Sequence, residues 1–510
     1  MLRVFKLAEV AGALFLLGAA QPQMTVKVGT GLLSGVTDAN GVTAYLGIPY
    51  AAPPVGELRW RPPQPAAKWE GVQAADHFGR SCAQSEPGSR LPWTAEFMTQ
   101  GPIGEDCLFL SVWTSAKSAN DKRAVMFWIY GGGFSEGSSS VAVYNGANLA
   151  KQGVVMVSAN YRVGPLGFLV YPELTKESEH HSSGNYGLLD QIAALQWVHR
   201  NIAQFGGDPN NVTIFGQSAG AISVADLLRS PLAKGLFARA IAESGPGLFP
   251  DSAMGGGAAF EQREQQGVKF AESKGAHSLA QLRALPAMEL FKDTPPLGGG
   301  PVTDGWVLTA DQPEHEVPLV VGMVSGDAAF AGGFGPTPAP RVANYVADAQ
   351  KKYGDESATF LKLYPATSDA DVPEAKKQSQ IDQARTSIDV WCESQERRSG
   401  TVYTYYFDRA IPWPAHPEFG AFHSAEVPYI FETTKLLDRP WTPVDAELSE
   451  MMSSYWTNYA KTGDPNAAGL PPWPQYSADS HKTMELGEHT GAIPDAEPAK
   501  LQFFLGYLKK

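Results

Sequence analysis

Cysteine is scarce in this chain. Three residues in 510, Cys82, Cys107 and Cys392, cannot build a disulfide scaffold. None of them has the Cys-x-x-Cys spacing of a zinc site. Basic residues are also in deficit, at 40 Lys and Arg against 53 Asp and Glu, so the net charge of −13 carries no basic stripe for nucleic acid. No internal repeat of solenoid length, low-complexity tract or linker breaks the chain. Apolar runs long enough to span a bilayer are missing too. The nearest approach, Val10–Leu17, follows Arg3 and Lys6 and precedes Gly18-Ala19-Ala20, which is a signal-peptide pattern. The expectation is therefore a leader over residues 1–20 cleaved near Ala20, export to the periplasm or medium, and a single domain over residues 21–510.

What is present is an ordinary globular composition, 43% hydrophobic, with a clear alternation in its first half. Ala124–Tyr130, Val154–Val157 and Val212–Phe215 read as strands buried on both faces. Between the last two lies Gly187–Ile202, with apolar residues at helical spacing. Leu236–Ala242, Pro318–Val321 and Val402–Phe407 extend the set. Strand–helix alternation of this kind predicts an α/β fold, a mostly parallel sheet with helices on both faces. The stretch from about 250 to 395 is more helical and polar and reads as an insertion covering one edge. Export favours one disulfide, and Cys82–Cys107 is the obvious pair, leaving Cys392 buried and inert.

Two segments match Gly-x-Ser-x-Gly, so context decides between them. Ser218 in GQSAG directly follows the strand Val212–Phe215 and opens AGAISVADLLRS, which has helical apolar spacing. That is the setting of a nucleophile elbow, where crowding of the turn demands small flanking residues. Ser135 in GFSEG follows three glycines and leads into GSSSV, a poor helix start, and reads as a loop residue. Tyr130-Gly131-Gly132-Gly133-Phe134 follows a strand, where a glycine-rich turn can aim N–H groups at a developing oxyanion. A serine nucleophile needs a base and an orienting acid. Of ten histidines, His423 sits among small residues in GAFHSAEVPYIF, soon after Val402–Phe407. Asp327 follows the strand PLVVGM in SGDAAF, at the C-terminal end where α/β sheets place functional groups. The order Ser218, Asp327, His423 is that of α/β-hydrolases.

With YLGIPYAAPPVGELRWRPPQP, EDCLFLSVW, WIYGGGF, SANYRVGPLGFL, AIAESG, HSAEVPYIF and YAKTGDPN in succession, the chain resembles the type-B carboxylesterases along nearly its whole mature length. The resemblance implies an α/β-hydrolase fold and a serine ester hydrolase acting on small-molecule esters without cofactor or metal. It implies Ser218 as nucleophile, His423 as base, and N–H groups of Gly132, Gly133 and Ala219 as oxyanion donors. It supports the Cys82–Cys107 pair, since EDCL carries the second paired cysteine. Gln217, Glu426 and Ser244 are expected to back the triad, with Glu426 competing for the role of acid. Two departures stand out: Asp327 where the family usually has Glu, and Gln217 where it usually has Glu. The second argues against a choline-type cationic substrate. The same machinery also serves lipases, carbamate hydrolases and amidases, and adhesion proteins keep the fold without the triad.

Overall fold

A computed structural model describes residues 24–85, 90–246, 248, 259–293, 299–310, 315–327 and 339–509. The expected leader over residues 1–20 lies outside these.

Among the described residues, eleven strands form one sheet. The first three are β1 (Val36–Thr37), β2 (Thr43–Pro49) and β3 (Phe109–Thr114). Next come β4 (Arg123–Ile129), β5 (Val155–Ala159), β6 (Gly207–Gln217) and β7 (Arg239–Glu243). The last four are β8 (Leu319–Val324), β9 (Val402–Phe407), β10 (Lys482–Leu486) and β11 (Gly491–Pro494). Their order across the sheet is β11-β10-β9-β8-β7-β6-β4-β5-β3-β2-β1. Pairing is parallel from β5 through to β10 and antiparallel at both margins. The parallel strands read as unbroken apolar runs because they are covered on both sides: every residue of β5 and β8 is buried.

The two faces carry different partners. Trp128 and Phe215, neighbours on β4 and β6, pack on Phe431. On the other face, a β-carbon at Gly207 would meet Val125 and Ile202, and Gly216 lies against Gly220. Helix α1 (Tyr186–Asn201) leads into this second face, and α2 (Ala219–Arg229) starts on it. The long α3 (Val372–Ser399) and α4 (Pro443–Thr462) complete the cover, with α4 opened by a Thr442–Asp445 capping box.

Some sequence expectations needed correction. Strand β6 begins at Gly207, earlier than Val212, with a register shift between them that accommodates the polar DPNN stretch. Strand β7 starts at Arg239, after a turn that bonds the Leu236 N–H to the Ala233 carbonyl. The region from 250 to 395 is not one edge insertion, because β8 passes through the middle of the sheet. Its helices separate around that strand. Leu282, Arg283 and Leu285 receive hydrogen bonds from Arg59, whereas Tyr345, Phe360 and Tyr364 pack with Phe503 and Phe504 near the C-terminus.

Candidate active site

Strand β6 ends at Gln217, and Ser218 follows with φ 58° and ψ −123° before α2 begins. A serine in this region is strained, and the surroundings hold it there. Its N–H donates to the Glu243 carbonyl at 2.8 Å, and its carbonyl accepts from Ile222. The flanking glycines are required by space. A β-carbon at Gly216 would lie 2.6 Å from the Ile129 carbonyl oxygen, and one at Gly220 would lie 2.0 Å from it.

The triple-glycine turn lies against this serine. A β-carbon at Gly131 would meet the Gln217 carbonyl oxygen at 2.6 Å and Ser218 Cβ at 2.9 Å. Gly132, Gly133 and Phe134 all have positive φ, and the Ser135 and Glu136 N–H groups fold back onto the Gly132 carbonyl. Gln84 clamps the far end of the turn, accepting from the Gly137 N–H and donating to its carbonyl. Among the described residues, nothing accepts from the N–H groups of Gly132, Gly133 or Ala219. Ser218, His423, Gly132 and Gly133 line one cavity of about 240 Å³, walled by Trp93, Phe97, Tyr144 and others. Ala219 is buried directly behind Ser218. Ser135 also lines this cavity, but its hydroxyl is turned to the Gly132 carbonyl.

Two further loops meet beside the serine. His423 Nδ1 lies 2.5 Å from Asp327 Oδ1, with both side chains buried. The other Asp327 oxygen accepts from the Val324 N–H at 3.0 Å, fixing the carboxylate to the end of β8. Gln217 Nε2 approaches His423 Nε2 to 3.2 Å, while its Oε1 accepts from the Ser424 hydroxyl. The tautomer satisfying both contacts has its proton on Nδ1, directed at Asp327, and a lone pair on Nε2.

Glu426 does not touch the histidine. Its carboxyl is fully buried near Ser244, and neither carboxyl oxygen meets hydrogen-bond geometry with a described residue. Burial, then the nearby Glu243 and Asp327, push its pKa well above the usual carboxylate range. That shift favours the protonated form, which makes Glu426 the weaker candidate for the histidine's anionic partner. Glu243, whose carboxyl accepts from Trp456 Nε1 at 2.7 Å, is pushed up to about 8 by burial.

Further contributors lie beyond the expected set. Gly326 lets the Asp327 loop press on Ala421. Ser424, at φ 84°, holds Gln217. Trp93 donates to the His423 carbonyl, and Arg90 pairs with Glu136 in the cavity lining. Only Gly326 left a signal, as the small residue before Asp327. The cysteines do pair, Cys82 with Cys107, and Cys392 is a buried free thiol.

A model of the carboxylesterase family matches residues 21–504. Fumonisin B1 esterase of Sphingopyxis macrogoltabida is 35% identical over 500 residues, covering 92% of this chain and 88% of that protein. Para-nitrobenzyl esterase of Bacillus subtilis (strain 168) is 34% identical over 499 residues, covering 92% and 96%. With a match spanning nearly the whole α/β chain, the protein belongs to the carboxylesterase family and is a carboxylic ester hydrolase.

Proposed function

We propose that this enzyme cleaves esters through an acyl-enzyme on Ser218. The Ser218 oxygen attacks the ester carbonyl while His423 Nε2 takes its proton. Asp327 holds the imidazole by Nδ1–H and stabilises the imidazolium that forms. The oxyanion accepts from the N–H groups of Gly132, Gly133 and Ala219. His423 then protonates the leaving alcohol, and water activated by the same ring releases the acid. The reading is carried by the 2.5 Å His423–Asp327 contact beside a serine held at positive φ on the rim of the same cavity.

The substrate in this reading is a small uncharged or anionic ester. Relatives named for fumonisin B1 and para-nitrobenzyl esters support such breadth. The proposal includes removal of residues 1–20 near Ala20 and action in the periplasm or medium. The Cys82–Cys107 bridge supports it, since such bonds persist in oxidising compartments. A fluorophosphonate probe tests the nucleophile. It labels Ser218 stoichiometrically and abolishes turnover, and the Ser135→Ala variant is labelled as well. A labelled peptide containing Ser135, or no labelling, overturns the assignment.

A further inference from the structure

Strands β10 and β11 form the terminal hairpin of the sheet, and its base is closed by the Asp495 N–H donating to the His481 carbonyl at 2.9 Å. His481 just precedes β10 and Asp495 just follows β11. Asp389, on α3, faces both. His481 Nδ1 lies 2.9 and 3.0 Å from the two Asp389 oxygens, and one potential ligand atom from each of the three residues falls within 4.8 Å of the others. Asp389 is 1% exposed and Asp495 5%, while His481 keeps one edge toward solvent.

Two carboxylates do not converge in a buried place without something to neutralise them. Asp389 has the Tyr476 hydroxyl at 2.7 Å as a donor. Asp495 is less well served. Arg385 stands 3.9 Å from its Oδ1, and its Oδ2 is buried beside Asp389 with no hydrogen-bond donor among the described residues. His481 reaches this position with φ 44°, a conformation that costs a β-substituted residue energy.

We infer that Asp389, His481 and Asp495 bind one divalent transition-metal ion, zinc or manganese, that staples the β10–β11 hairpin to α3. One imidazole and two carboxylates are a donor set for first-row divalent ions. Bonds of about 2.0–2.2 Å at tetrahedral angles put ligands about 3.4 Å apart, so atoms now within 4.8 Å of one another would draw in by up to about 1.4 Å, a side-chain adjustment. The Tyr476 hydroxyl orients Asp389, as outer hydrogen bonds do for metal-bound carboxylates. The solvent-facing edge of His481 supplies a path for the ion. None of the three lines the catalytic cavity, so the ion's role is structural.

The test uses untagged enzyme dialysed against EDTA and titrated with ZnCl2, and separately MnCl2, by calorimetry with elemental analysis of the product. One ion per chain is expected, and a Tm gain of about 2–3 °C at a hundredfold excess over Kd. Asp495→Asn and His481→Gln should each weaken binding at least about tenfold and abolish the Tm gain, with ester turnover unchanged. His423→Ala should bind the ion as wild type does, which separates this site from the catalytic histidine. No bound metal in the wild type at 100-fold excess over protein overturns the inference and leaves a shared proton as the neutralising charge. Binding that survives Asp495→Asn but disappears in His423→Ala also overturns it.

Discussion

Gly326 and Phe422 approach so closely that a β-carbon on the glycine would sit 2.8 Å from Phe422 Cα, and 2.3 Å from the neighbouring Ala421 oxygen. The Gly326 N–H donates to that same oxygen at 2.9 Å. The loop carrying Asp327 is thus pressed on the loop carrying His423, and a carboxylate one methylene shorter than glutamate spans the gap.

Assignment of the acid follows from this contact. Asp327→Asn should lower kcat by about 10⁴ with the fold intact, because the amide would hold the wrong histidine tautomer. Glu426→Gln should cost only about ten- to a hundredfold, since its carboxyl makes no hydrogen bond to the histidine. Steady-state kinetics with circular dichroism on both variants decide the matter. A crippling Glu426→Gln beside a nearly silent Asp327→Asn would reverse the assignment.

Charge selectivity rests on Gln217, whose neutral amide lies 3.2 Å from His423 Nε2. Arg90 and Glu136 in the lining offset one another. A neutral short-chain ester should be turned over with kcat/KM at least about tenfold above its choline analogue, and Gln217→Glu should narrow that ratio. Preference of the unmodified enzyme for the cationic ester would show that the aromatic wall of Trp93 and Tyr144 does the selecting instead.

Mass spectrometry of the protein prepared without reductant should find Cys82 joined to Cys107 and Cys392 free. Burial holds the Cys392 thiol protonated, so alkylation should reach it only after unfolding. Cys82→Ser with Cys107→Ser should destabilise the fold by roughly 3 kcal/mol in the chain-entropy model. A mixed bridge involving Cys392 would contradict this pairing.

Stability should fall as pH rises from about 4.5 to about 8, and Glu243 is one cause. Burial raises its folded pKa to about 8, so across that window the folded state holds a proton that the unfolded state has released. Glu243→Gln keeps an acceptor for Trp456 and removes the titration. The variant and wild type should melt alike below pH 4.5, and the variant should melt roughly 2–4 °C higher at pH 8. Asp408, raised to about 7 by burial and by Glu485, contributes equally to both proteins. Parallel melting curves at every pH would remove Glu243 from the account.

The apolar strands and the elbow could be read from the sequence because their constraints are local. Each residue of β8 must be apolar to lie between two helix layers, and Gly216 and Gly220 must be small to pass Ile129. The same holds for His423 and Asp327, each just beyond a strand end. Long-range contacts left no such mark. Trp93 reaches the His423 carbonyl across 330 residues, and no spacing rule connects them. Glu426 was legible as a neighbour of the site, but the upward push on its pKa comes from burial beside Glu243, which only packing reveals. Asp389, His481 and Asp495 form no compact motif; a hairpin returning to a helix from earlier in the chain brings them together.

The strand order has a consequence for biogenesis. Gln217 and His423 stand 206 positions apart in the chain, and Asp327 and His423 stand 96 apart, so the contacts of the proposed site wait until most of the chain has been synthesised. Such non-local closure is slow, and nothing short of a nearly finished sheet supplies it. A nascent chain is consequently inert toward esters, and the appearance of turnover during refolding times the docking of β9 on β8 rather than the collapse of the first half.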